Sequence, residues 1–167
     1  MTRMRRWLVN LFGSWFQLRR RFPAALLGEL AAAIAAGERS HLGEIRFAIE
    51  SRLAPLAVLD GLDARTRARQ VFAQLSVWDT ELKTGVLFYV LMAEHRIEII
   101  ADRGIAAKVA ASEWGAICTR MRHCYASGQW RDGSLEGIAA ANTLLQQHFP
   151  ADGTRNPDEL SDRPVLL

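Results

Sequence analysis

Val86 to Met92 is an unbroken apolar run, VLFYVLM, and after four residues, Ala93-Glu94-His95-Arg96, an alternating run of strand length follows at Ile97 to Ala101. A continuous apolar stretch of strand length marks a strand covered on both faces, and so predicts the centre of a sheet with layers on either side. Four residues between two runs of strand length make a hairpin the economical connection. The chain is therefore expected to be built around a sheet that other elements must cover.

Those elements can be read on either side of the hairpin. Pro23 suits a first helical position, and Leu26, Leu27, Leu30 and Ile34 mark a helix that Gly37 would end. Ile45, Phe47 and Ile49 alternate with Arg46 and Glu50 in residues 43–50, the period-2 sign of a half-exposed strand. After a loop with Pro55 and Gly61, Asp63 caps a helix through Leu75, its Val71, Phe72 and Leu75 facing inward. Residues 105–127 read as a helix stopped by Gly128, with Val109, Trp114, Ile117, Met121 and Cys124 inward, and residues 132–149 as a last helix. Pro150, Gly153 and Pro157 then break regular structure, which leaves residues 151–167 as a flexible tail ending in a short apolar stretch. A length of 167 residues, half of them apolar, fits one core. The expectation is an α/β fold, a small mixed sheet of about three to four strands flanked by helices, in a single domain over 23–150.

Charge is unevenly spread along the chain. Residues 1–21 hold six arginines and no acid, which leaves 15 basic against 18 acidic residues in the remainder. A mildly acidic domain offers no clustered positive face, which argues against nucleic acid as its ligand. In residues 1–22, Met4, Trp7, Leu8, Leu11, Phe12, Trp15, Leu18 and Phe22 recur at helical spacing, with Arg3, Arg6, Asn10, Ser14, Gln17 and Arg21 opposite. The apolar centre from Trp7 to Leu18 is 12 residues long, whereas a spanning helix needs about 20. Rings beside guanidinium groups are the equipment of an interfacial helix on anionic lipid. Trp7, Leu11 and Trp15 with Arg5, Arg19 and Arg20 are the expected membrane contacts, and packing of the same stripe on the domain or on a partner protein is the alternative.

Topology brings distant acids together. A strand, helix, strand connection makes its strands parallel and a hairpin makes its strands antiparallel. The starts of the first two strands and the end of the third then share one end of the sheet. There lie Glu44, the Trp78-Asp79-Thr80-Glu81 loop, Lys83, Gly85 and the Asp102-Arg103-Gly104 turn. Converging carboxylates are what Ca2+ or Mg2+ takes as ligands. Neutralisation by Lys83 and Arg103, helix capping by Asp102 and pairing of Glu44 with Arg46 are the alternatives. His41, His95, His123 and His148 lack zinc-binding spacing, and no nucleophile elbow, P-loop or dinucleotide fingerprint is present. Cys118 and Cys124 sit six residues apart on one helix, about 9 Å, beyond the roughly 7 Å reach of a disulfide.

The segments Val71-Phe72-Ala73-Gln74-Leu75-Ser76-Val77-Trp78, Gly85 to Ala93 and Arg96 to Ile105, with the later Gly137-Ile138 helix, resemble the TPM domain family over roughly residues 24 to 150. The resemblance implies a compact sheet flanked by helices. It also implies a spread of roles: a thylakoid-lumen acid phosphatase, photosystem II repair factors, a receptor modulator and bacterial envelope proteins. Some members bind calcium through acids on loops, a role that would carry to Asp79, Glu81 and Asp102. The acid-bearing segment that usually precedes the first helix has no counterpart here, and Asp102-Arg103-Gly104 replaces a more glycine-rich turn. Short bacterial members look like companions of membrane-associated helical proteins of the LemA kind, which implies an interaction role. The expected function is a membrane-peripheral, non-catalytic accessory protein of the bacterial envelope, at the cytoplasmic face of the inner membrane or outside it. Its partners would be an anionic membrane surface and a LemA-like or other envelope protein. The alternative is a Ca2+- or Mg2+-dependent phosphoester hydrolase of the acid-phosphatase kind.

Overall fold

The computed structural model describes residues 3–12, 15–151, 153 and 159–167; Ser14 and Pro157, and the side chains of Arg3 and Phe12, lie outside the described residues. The element order is α1 (Arg3–Phe12), α2 (Trp15–Arg21), α3 (Ala24–Glu38), β1 (Glu44–Glu50), α4 (Pro55–Leu59), α5 (Ala64–Gln74), β2 (Gly85–Leu91), β3 (Arg96–Ala101), α6 (Arg103–Ala106), α7 (Ala111–Ala126), α8 (Trp130–His148) and β4 (Val165–Leu166). The sheet order is β3-β2-β1-β4. β1 runs parallel to β2 in the register Glu44 to Gly85, and β2 runs antiparallel to β3 in the register Val86 to Ala101. These are the strand directions that the connections require.

Alternation along the strands divides the interior into two cores. Ile45, Phe47, Ile49, Phe88, Val90, Ile97 and Ile99 face α3, α7 and α8, and Leu18 and Phe22 join that side. Ala48, Leu87, Tyr89, Leu91 and Ile100 face α4 and α5, with Val58, Val71 and Leu160. β2 contributes to both cores and is buried along its whole length, which is why its sequence is unbroken apolar.

Several expectations are corrected by contacts that are remote in sequence. β1 is not half exposed: Arg46 reaches the carbonyls of Ser161 and Arg163, and Glu50 pairs with Arg67, so its polar face is covered too. Gly37 does not end α3. It lies inside the helix, where a Cβ would meet the Asn142 side chain at 2.1 Å, so glycine is needed for the close approach of α8. Pro55 opens the short helix α4 instead of a loop. The expected helix over 105–127 is two helices, α6 and α7, and the described residues of the arm form α1 and α2. Cys124 is absent from the core, and Tyr125 takes that inward position. The end of the expected tail is ordered strand: β4 pairs in parallel with β1, Ala48 to Val165 and Ile49 to Leu166. The cap at Asp63 and the positive φ of Gly128 after α7 agree with the sequence reading.

Candidate functional site

The end of the sheet does gather the expected acids, but each is turned to a different neighbour. Gly85 opens β2 under the carbonyl of Val77, so close that a Cβ would lie 1.9 Å from that oxygen. Its own carbonyl accepts from the Asp102 N–H at 2.8 Å, which fixes the start of α6 against the start of β2. Asp102 is buried and caps α6, its Oδ1 accepting from the Arg103 N–H at 2.7 Å. Its Oδ2 is buried without a hydrogen-bond partner among the described residues.

Glu44, 1% exposed, points the other way, and its Oε2 accepts from the Leu160 N–H at 3.3 Å. Asp79 and Glu81 are exposed in the loop before β2. The Glu81 N–H donates to the Glu159 carboxylate at 3.0 Å, and Lys83 lies over the Trp78 ring, its Nζ 5.9 Å from the centroid. Among the described residues, no three acidic, histidine or cysteine side chains converge as a cation would need. The geometry therefore does not fit a Ca2+ or Mg2+ ion held jointly by Glu44, Asp79, Glu81 and Asp102.

Sequence reasoning passed over Glu38, at the end of α3. Burial pushes its carboxyl up to about 9, against a hydrogen bond from the Ile45 N–H, while Glu44 and Asp162 add to the rise. Glu38 of α3 thus lies close to Asp162 of the C-terminal segment. Only the fold brings residues 38 and 162 together, and no local pattern marks either one.

The arm is docked on the domain by polar contacts. Asn10, placed by periodicity on the solvent side, is fully buried. Its Oδ1 accepts from the Leu53 N–H at 2.7 Å, and its Nδ2 donates to the Arg6 carbonyl and to Glu94 Oε1, both at 2.9 Å. Arg6 holds Glu94 through both carboxylate oxygens at 2.9 Å. Trp7 is half-buried against the α4 side core, and Leu18 is fully buried against the other. Met4, Leu8, Leu11, Trp15 and Phe16 face outward, together with Arg5, Arg19 and Arg20. Leu56 and Leu59 of α4, which packs along α1, add to the exposed apolar side chains. Of the expected membrane contacts, the structure thus exposes all but Trp7. Among the described residues, no helix is long and apolar enough to cross a membrane.

A four-stranded mixed sheet with helices on both faces makes this an α/β domain. The chain belongs to the TPM domain family, whose model matches residues 22–144. It is similar to the BA42 protein of the psychrophilic bacterium Bizionia argentinensis, at 27% identity and a TM-score of 0.76, over 86% of this chain and 94% of that one. It also shares its fold with the N-terminal domain of a P. gingivalis protein, at 16% identity and a TM-score of 0.60, over 75% of this chain and 77% of that one. No curated protein matches the chain. Residues 1–21, which carry the six arginines, lie outside the matched span.

Proposed function

We propose that this TPM-domain protein is a non-catalytic accessory protein that sits on an anionic membrane surface through its amino-terminal helices. The observation that carries this reading is the outward face of α1, α2 and α4, where Phe16 is 74%, Met4 68% and Leu56 75% exposed. Arg5, Arg19 and Arg20 are exposed on the same arm, and the first acid of the chain is Glu29. Large apolar side chains left in water beside cations suit the headgroup layer, where rings enter the interface and guanidinium groups meet phosphate or carboxylate. Arg19 already lies over the Trp15 ring at 5.1 Å, the arrangement in which a cation travels with its anchor.

Each arginine near an anionic surface contributes about 1 kcal/mol, so three contribute about 3 kcal/mol, or roughly a hundredfold in partitioning. Co-sedimentation of the full chain with phosphatidylcholine vesicles, with and without phosphatidylserine, tests this. Binding should require the anionic lipid, fall about a hundredfold when Arg5, Arg19 and Arg20 are changed to glutamine, and fall in Phe16→Ser, Leu56→Ser. Failure to bind anionic vesicles, or binding indifferent to both sets of changes, overturns the reading.

A further inference from the structure

β3 is an outer strand of the sheet, and its pairing decides which of its backbone groups are free for another chain. The Asp102 N–H bonds to the Gly85 carbonyl, and residues of an antiparallel ladder alternate between bonding inward and outward. With Val86 opposite Ala101, the backbone groups of Arg96, Glu98 and Ile100 therefore turn to β2, and those of Ile97, Ile99 and Ala101 turn away from the sheet. Arg65 Nη1 donates to the Ile99 carbonyl at 2.9 Å, and Cys118 lines the same cavity as Ile99. An unpaired edge is a template for a further strand, and an arginine laid over it is a removable cover.

The edge lies in a cleft. Arg65 from α5 and Trp114, Cys118 and Arg122 from α7 wall a cavity of about 330 Å³ over Ile97 to Ala101. Past Arg65 and Arg122 it continues into a second cavity of about 550 Å³ at the β2–β3 hairpin. Trp114 is buried, and its indole N–H has no acceptor among the described residues. The cleft also has a surplus of positive charge. Four arginines, Arg6, Arg65, Arg96 and Arg122, line the two cavities against three acids, Asp63, Glu94 and Glu98; Arg6 pairs with Glu94 and Arg65 with Glu98, while Arg96 and Arg122 form no ion pair among the described residues.

We propose that the cleft beside β3 docks an extended acidic peptide segment of a partner protein, which adds to the sheet as a fifth strand. The peptide main chain takes the outward groups of Ile97, Ile99 and Ala101. Its N–H replaces Arg65 at the Ile99 carbonyl, and the released guanidinium, close to half exposed, is free to take a peptide carboxylate. Side chains of a strand alternate between faces. Acidic residues on one side then meet Arg65 and Arg96, and apolar residues on the other meet Val109 and Trp114, with Arg122 at the junction of the two cavities. The recognised pattern is alternating acidic and β-branched residues.

The probe is a fluorescein-labelled eight-residue peptide of alternating glutamate and valine, compared with one of alternating lysine and valine, titrated into the full chain by fluorescence anisotropy. The glutamate peptide should bind at least tenfold more tightly and shift the amide resonances of Ile97, Ile99 and Ala101. Reversing the exposed cations in Arg96→Glu, Arg122→Glu should invert the preference, a result that mere unfolding does not produce. Ala101→Pro removes an outward N–H without touching the β2 ladder, which an edge strand tolerates; it should abolish binding while the circular dichroism spectrum is kept. Equal binding of both peptides, no binding of either, or shifts confined to α1 and α2 overturn the proposal. It stands apart from the membrane reading, which vesicle binding tests separately.

Discussion

Replacing Asn10 by alanine tests whether the arm is part of the folded domain. The Asn10 side chain is fully buried and makes three hydrogen bonds, to the Leu53 N–H, the Arg6 carbonyl and Glu94. Alanine leaves the Leu53 N–H buried without its acceptor, which costs about 1 to 3 kcal/mol. Glu94 keeps both bonds from Arg6, so its loss adds little. A net loss of about 2 kcal/mol corresponds to roughly thirtyfold in an opening equilibrium. The loss is local to the docking of α1, because the bonds of Asn10 run within α1, to the Leu53 N–H in the loop before α4 and to Glu94 in the β2–β3 turn, and to no strand, and native-state hydrogen exchange resolves it residue by residue. The amides of α1 and of Leu53 should exchange about thirtyfold faster, while those of β2, buried on both faces, keep their rates. Unchanged exchange in α1, or an equal acceleration in β2, would refute the assignment of Asn10 as the arm's polar anchor.

Glu50 is buried and accepts from Arg67 Nε at 2.9 Å, from Arg67 Nη2 at 3.0 Å and from the Tyr89 hydroxyl, so Glu50→Ala should lower stability by about 3 kcal/mol, read from the urea midpoint. Glu38, with its folded carboxyl pushed from 4.5 up to about 9, binds its proton more tightly in the native state; its contribution is full below pH 4.5 and is lost as pH rises to about 9. Glu38→Gln should flatten that decline in a series of thermal melts. His41 has the opposite sign: burial holds its folded value below 6.5, with the Gly43 N–H on Nδ1 and Asn142 on Nε2, so stability should fall as pH drops below 6.5, and His41→Gln should remove that fall. Burial also pushes the Cys118 thiol up to about 11, so its alkylation by iodoacetamide at pH 8 should be slower than that of a free peptide thiol by about a hundredfold, followed by peptide mass spectrometry.

The hairpin, both strand directions and the gathering of Glu44, Gly85 and Asp102 at one end of the sheet were legible because they follow from local period and short connections. What was not legible depends on partners far along the chain. Gly37 reads as a helix stop until Asn142, on another helix, fills the space where its side chain would be. Nothing local marks Glu38, whose burial depends on the approach of Asp162 and Glu44. β4 pairs through only two residues, too few to carry a period. In the arm, periodicity finds the amphipathic helix but cannot say which apolar residues meet the domain. Trp7 and Leu18 turn inward and Leu11 and Trp15 outward, while polar Asn10 is buried because the Leu53 N–H and Glu94 need it. At the candidate metal site topology brings the acids to one end of the sheet, while their partners, the Arg103 N–H for Asp102 and the Leu160 N–H for Glu44, are supplied by a cap and by the C-terminal segment.

The outward face of the arm and the cleft beside β3 share one ion pair. Glu94 stands in the β2–β3 turn, where it holds Arg6 of the arm and also lines the hairpin end of the cleft beside β3. With α1 docked, Arg6 neutralises Glu94 and supplies part of the cleft wall, which leaves Arg96 and Arg122 to outweigh Asp63 and set the sign of the site. With α1 displaced, an uncompensated carboxylate would face any acidic strand entering there. Whatever holds the arm against the domain therefore favours the cleft in its anion-accepting form, and by linkage an acidic segment in the cleft favours the docked arm. The exposed side of that arm is the face proposed to meet lipid, so membrane contact and peptide docking draw on the same conformation of α1 and do not compete for it.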